Sequence, residues 1–267
     1  MAVAQVGRVR LEYYVDGSGP PVLMIMGLGG RGTDWNPAFI RLLSPDYELI
    51  RFDNRGTGRS ARPEESYSLD GMADEAIGIL DVVGRARAHV LGVSMGGMIA
   101  QLVALRHPER VDRLVLIATH AGGKTVTPPT PAALRVLMGD GSGSTAEITR
   151  AAMTTITAPG FAARHPEAID AMVANAVALP TPTATFARQM QAIMTSDRTD
   201  RLAHIQAPTL VVHGDADPLV PHPNGELLAR HIPAARLVTL PGCGHMPMWE
   251  RPDVLAETLR TFFTEAC

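Results

Sequence analysis

The sequence predicts an α/β fold: a mostly parallel central sheet flanked by helices, with a helical cap inserted after the sixth strand. Three observations predict it. First, five short runs are almost continuously apolar: PVLMIMG (21–27), YELIRFD (47–53), AHVLGVS (88–94), DRLVLIAT (112–119) and APTLVVHGD (207–215). Such runs suit strands buried on both faces of a parallel sheet. Second, helix-like segments separate them, as crossover connections between parallel strands require. Third, the rhythm stops after Thr119 and resumes only at Ala207.

Taken in order, the opening stretch VGRVRLEYYVDG alternates apolar and polar residues. Alternation predicts an antiparallel edge hairpin leading into the sheet. Residues 69–83 place Leu69, Met72, Ala73, Ala76, Ile77 and Leu80 at helical spacing. Residues 95–107 do the same with Met98, Ile99, Leu102, Val103 and Leu105, which predicts an amphipathic helix. A turn-rich linker, AGGKTVTPPTP, then opens a region without a convincing strand. Helical pieces are expected around 132–138, 144–156, 166–179 and 183–194, punctuated by Gly and Pro. Residues 121–203 are therefore expected to form the cap, on a core of 1–120 and 204–267. Met138, Met153, Met172, Met190 and Met194 all fall in it. They suit either ordinary helix packing or an adaptable apolar binding surface. A short strand, ARLVTL (235–240), and a last helix from about Arg251–Pro252 complete the core.

Composition narrows the function classes. A chain of 267 residues suits one large domain with an insertion. It is 46% hydrophobic and 19% charged, an ordinary globular balance. Its 24 Lys and Arg against 27 Asp and Glu leave a formal charge of −3 without a basic block, which argues against a nucleic-acid partner. No apolar run has bilayer length, and the N-terminus lacks a signal-peptide core. The expectation is a cytoplasmic protein with a small-molecule substrate and no membrane partner; a homo-oligomer is compatible with the sequence. Cys243 and Cys267 show no metal or redox spacing and are read as free thiols. Neither a metal nor an organic cofactor is expected.

The chemistry begins at Gly92-Val93-Ser94-Met95-Gly96, which fits G-x-S-x-G. The motif is weak alone, but here an apolar strand precedes it and a helix follows. At such a turn the serine stands exposed above the sheet, and glycines on either side let strand and helix crowd together. The N–H of Met95 then lies at a helix N-terminus, where an anion is favoured. Ser94 is the candidate nucleophile.

A serine hydroxyl needs a base, and the base needs an orienting carboxylate. In hydrolases with this turn the chain order is serine, acid, histidine. Among nine histidines, His107, His165 and His231 read as punctuation at helix ends. His245 lies in a Gly-framed loop, PGCGHMP, directly after a strand, and is the candidate base. HGDADPLVP (213–221) closes an apolar strand and offers Asp215 and Asp217. Asp217, held in an extended turn by Pro218, is the candidate acid. Asp215 is expected to hold the turn through local amides, and His213 to do similar structural work. Thr119-His120-Ala121 offers no carboxylate.

Acyl transfer also needs two N–H donors for the oxyanion. Met95 is one candidate. The Gly27-Leu28-Gly29-Gly30 loop supplies the other, with Leu28 preferred over Gly27. Gly27, Gly29, Trp35, Met246 and Trp249 are candidate substrate contacts, the two tryptophans at the mouth of the site.

Four motifs in this order carry a family resemblance: MGLGG (26–30), RFDNRGTGRS (51–60), GVSMGG (92–97), and HGDADPLVP with GCGH (242–245). The chain resembles the α/β-hydrolase superfamily, in the branch of small bacterial esterases, lactonases and related hydrolases. The likeness runs from about residue 8 to 263 and is poor across the cap. It implies that RFDNRGTGRS is a structural brace. Many relatives begin the oxyanion loop with His-Gly, where this chain has Met26-Gly27; perhydrolase-type relatives often carry an aromatic where Leu28 stands. The resemblance implies a serine hydrolase of a small, moderately apolar ester or lactone. Diketone carbon–carbon hydrolysis and thioester hydrolysis are the alternatives with the same three residues. Perhydrolase chemistry and a non-catalytic ligand receptor rank below them.

Overall fold

A computed structural model describes residues 1–139 and 142–265. The hairpin β1 (Ala2–Val6) and β2 (Val9–Asp16) is followed by β3 (Pro21–Ile25), α1 (Pro37–Leu43) and β4 (Glu48–Phe52). Then come α2 (Leu69–Val82), β5 (Ala88–Val93), α3 (Met95–Arg106) and β6 (Val111–Ile117). A helical insert follows: α4 (Pro131–Met138), α5 (Thr145–Ile156), α6 (Phe161–Arg164), α7 (Pro166–Ala178) and α8 (Thr183–Met194). The chain returns through β7 (Thr209–Gly214), α9 (Pro223–His231), β8 (Arg236–Leu240), α10 (Pro247–Glu250) and α11 (Pro252–Thr264).

The eight strands lie in the order β1-β2-β4-β3-β5-β6-β7-β8. Only β1/β2 and β2/β4 pair antiparallel; the rest of the sheet is parallel. Every residue of β5 and β7 is buried, which is why both read as unbroken apolar runs. Alternate residues serve opposite faces. Leu23 and Ile25 pack with α2 and α3, whereas Val22 and Met24 pack with α1 and α11. From β3 the chain crosses to β4 on one side and then to β5 on the other. That reversal opens a crevice beyond the carboxyl ends of β3 and β5, where ligands of open α/β sheets bind.

Two helical expectations change. Residues 95–104 of α3 are buried all round, so this helix is enclosed rather than amphipathic. It lies on β3, β5 and β6, with α2 beside it and the segment 199–204 against it. The short helices α1, α6, α9 and α10 carry too few turns for a periodic signal. Their cues are local instead: each opens with proline or follows glycine, and Asn36 caps α1 by accepting from the N–H of Ala38.

Within the insert, α5, α6 and α7 enclose a small cluster of Ala158, Phe161, Ile169 and Val173. Ser144 and Glu147 form a reciprocal capping box at the start of α5. The five methionines divide. Met172 is buried in the main core, Met153 and Met190 are half-buried, and Met138 and Met194 are exposed. They form no single apolar surface. Among the described residues, no helix is long and apolar enough to cross a membrane.

Candidate active site

The Ser94 turn is fixed by its immediate neighbours. Ser94 adopts φ 55° and ψ −122°, a conformation that costs a non-glycine residue about 1–3 kcal/mol. Its N–H donates to Ile117 O at 2.9 Å, and its carbonyl accepts from Thr119 Oγ1 at 2.7 Å. The same carbonyl accepts the N–H groups of Gly97 and Met98, which starts α3. The flanking glycines are obligatory. A Cβ on Gly92 would sit 2.2 Å from Gly96 O, and one on Gly96 would sit 2.0 Å from Ile25 O. Among the described residues the N–H of Met95 has no acceptor.

Asp217 and His245 meet from neighbouring strands, one after β7 and the other after β8. His245 Nδ1 lies 2.7 Å from Asp217 Oδ2, and both side chains are buried. Asp217 Oδ1 accepts the N–H groups of Leu219 and Val220, each at 2.9 Å. The carboxylate is thus clamped on one oxygen and aimed with the other. An acceptor at Nδ1 puts the imidazole proton there and leaves Nε2 as the basic nitrogen. His213 stands behind the pair, donating from Nε2 to Val220 O at 2.7 Å. Burial pushes its pKa below the ordinary imidazole value. Asp215 departs from expectation. It accepts not a local amide but that of Gly242, at 2.7 Å, and so ties the acid loop to the histidine loop. That loop also carries Cys243, a buried free thiol whose pKa burial raises. Cys267 lies outside the described residues.

The candidate oxyanion loop, Gly27–Gly30, lies against the serine. A Cβ on Gly27 would come within 3.1 Å of Ser94 Cβ. The loop turns through a bond from Gly30 N to Gly27 O, with Gly29 at φ 69°. Like that of Met95, the N–H of Leu28 donates to no acceptor among the described residues. Below the loop, the RFDNRGTGRS segment acts as a brace. Asn54 Nδ2 donates to Met26 O, while Asp53 accepts from the N–H groups of Gly32 and Arg59. Burial raises the Asp53 pKa to about 6.

Two of the candidate substrate contacts, the tryptophans, are corrected. Trp35 is 1% exposed, stacked on Phe39 within the core, so it does not line a mouth. Trp249 is buried too, and its Nε1 donates to Asp34 O at 3.1 Å. Both rings are spent on packing, as large aromatics near a sheet usually are. Gly29 gives its N–H to Gln189 Oε1 at 2.8 Å and receives Thr181 Oγ1 on its carbonyl at 2.7 Å. Both of its polar groups are engaged by the insert. Met246 remains half-buried beside His245.

Two supporting residues escaped the sequence reading. Gln189 is one. Glu250 is the other: its carboxylate accepts the N–H groups of Gly244, Met246 and Ala158 at 2.9–3.0 Å, gathering the histidine loop and the end of α5. His245 itself donates its N–H to Ile156 O. Gln189 has partners more than 130 positions away, and Glu250 joins nearby Gly244 and Met246 to distant Ala158, so no periodic pattern marks either residue. Among the described residues, no group of three His, Cys, Asp or Glu is placed to hold a metal ion.

Comparisons with known proteins bear on the family and the fold. The model of the α/β-hydrolase fold family matches residues 20–252. A candidate carbamate hydrolase of Azorhizobium caulinodans is 32% identical over 99% of both chains. The enol-lactonase of Burkholderia xenovorans LB400 superposes with TM-score 0.86 at 27% identity, covering 99% of this chain and 100% of its own. A meta-cleavage product hydrolase of Pseudomonas fluorescens IP01 superposes with TM-score 0.85 at 29% identity, covering 100% and 98%. This chain belongs to the α/β-hydrolase fold family.

Proposed function

We propose that the protein is a serine hydrolase of small carboxylic esters or lactones. One observation carries the reading: a buried, doubly clamped Asp217 holds His245 by Nδ1 just past the ends of β7 and β8, on the strand-end edge of the same sheet where strained Ser94 ends β5. In this reading Ser94 Oγ attacks the carbonyl carbon while His245 Nε2 takes its proton. Asp217 holds the tautomer and stabilises the imidazolium. The N–H groups of Leu28 and Met95 receive the oxyanion, each worth roughly 3–4 kcal/mol in such sites. His245 returns the proton to the leaving alcohol, and an acyl group remains on Ser94. Water, deprotonated by the same nitrogen, then releases the acid. The likeness to an enol-lactonase supports the lactone side of the proposal.

A second reading is hydrolysis of a carbon–carbon bond, favoured by the likeness to the meta-cleavage product hydrolase. A panel of p-nitrophenyl esters, lactones, carbamates, thioesters and vinylogous diketones, with Ser94→Ala alongside, separates the readings. Turnover of esters or lactones that vanishes in Ser94→Ala supports the first. Turnover confined to diketones or carbamates sinks it.

A further inference from the structure

Gln189 lies on α8 of the insert, which supplies no group to the proposed chemistry, yet it is fully buried. Its side chain joins two loops that follow different strands. Oε1 accepts the N–H of Gly29 at 2.8 Å, and Nε2 donates to Arg55 O at 3.0 Å. The orientation of the amide is not arbitrary. Gly29 offers only a donor and Arg55 only an acceptor at these points, so the carbonyl must face Gly29.

Gly29 is the third residue of the Gly27–Gly30 turn, at φ 69°. A positive φ at that position is the mark of a type II turn, in which the central peptide is rotated relative to type I. The central peptide here is Leu28 C=O to Gly29 N–H, so Gln189 grips the group that would swing away if the peptide turned over. Thr181 holds the other end through the Gly29 carbonyl, and Arg31 Nη1 donates to Leu179 O. Three residues of the insert thereby hold a loop in which, among the described residues, the N–H groups of Gly27 and Leu28 have no acceptor.

We propose that Gln189 is a positioning residue for the oxyanion site: it fixes the Leu28–Gly29 peptide, and so holds the turn from which the adjoining Gly27–Leu28 peptide presents the Leu28 N–H beside Ser94. The insert is then part of the oxyanion machinery as well as a cover. This inference rests on the serine-hydrolase reading above. The physical reason is preorganisation, because a donor that must be reoriented during reaction stabilises the oxyanion less than one already in place.

The test compares wild type with Gln189→Ala and Thr181→Val, using Gln191→Ala, exposed on the same helix, as control. Three quantities are read: kcat and KM on an ester, affinity for a boronic acid that forms a tetrahedral adduct on Ser94, and exchange of the Gly29 amide by NMR. Gln189→Ala is expected to lower kcat about 10- to 100-fold with little change in KM. Boronate affinity falls by the same factor as kcat/KM, and Gly29 exchange speeds up at least ~10-fold. Thr181→Val moves each quantity in the same direction by a smaller factor. An unchanged kcat, or a loss confined to KM, overturns the proposal. Should Gln189→Ala fail to fold, Thr181→Val decides by the same criteria. The exchange measurement needs no turnover, so a wild type inactive on esters would overturn the functional reading while Gly29 exchange still judged the grip of Gln189.

Discussion

The Ser94 turn and the candidate oxyanion loop lie against each other, but they are held in opposite ways. The serine turn is made by its neighbours: two glycines with no room for a Cβ, the first turn of α3, and the adjacent strand β6. The oxyanion loop is made by strangers. Its partners are Asn54 and Asp53 from the loop after β4, and Leu179, Thr181 and Gln189 from the insert. The histidine loop lies between the two cases: Glu250, a few residues on, and Ile156 from the insert both hold it. The shape of the Ser94 turn is therefore set close by, while the placement of Leu28 N–H and of His245 depends on more distant parts of the molecule.

Breaking the local side has the largest effects. Ser94→Ala is expected to lower kcat by about 10⁵-fold with the fold intact, as loss of a nucleophile does in serine hydrolases. Residual activity within about tenfold of wild type in a steady-state assay would remove Ser94 from the mechanism. Asp217→Asn comes next, at about 10⁴-fold, because an amide facing Nδ1 favours the wrong tautomer. A binding isotherm for the boronic acid should stay measurable in that variant. Gly96→Ala tests sterics rather than chemistry. Its methyl would meet the carbonyl of Ile25, which is strand backbone and cannot yield, so we expect a loss of more than about 3 kcal/mol in urea unfolding. A stable Gly96→Ala protein would show that the turn has slack.

The long-range side responds more gently and with a pH signature. Asp53 has a folded pKa of about 6, above the ordinary carboxylate value. The native state thus binds that proton more tightly than the unfolded chain. Its contribution is complete below about pH 4 and is lost as pH rises through 6, amounting to about 2–3 kcal/mol. Asp53→Asn removes this dependence. Urea midpoints taken from pH 4 to 7 should move in the variant's favour relative to wild type as pH rises, and parallel curves would refute the assignment. Glu250→Ala is the mildest, leaving three N–H groups without their acceptor. It should cost about 1–3 kcal/mol of stability and lower kcat about tenfold, visible together in melting and turnover.

Much of this was legible in the residues. β5 and β7 are buried on both faces, and a run such as AHVLGV has no other comfortable home. The G-x-S-x-G spacing reports a steric fact, since only glycine fits at 92 and 96. Asp217 and His245 stand just past strands, where sequence order and strand-end logic both point. The tryptophans misled because an aromatic beside a candidate site gives no sign of which way its ring turns; Trp35 turns into the core. The enclosure of α3 was hidden for a related reason. Gln101, which looks like a polar face, is buried against Arg198 from the far end of the insert.

By itself, the sequence determined the sheet, the turn at Ser94 and the two strand-end loops, because each depends on residues adjacent in the chain and on backbone sterics. Tertiary structure alone decided that Gly29 is gripped rather than open, that Asp215 ties two loops, and that Gln189 and Glu250 hold the site's geometry. Those bonds join residues separated by up to 160 positions, and hydrogen-bonding groups that meet only after folding leave no periodicity to read.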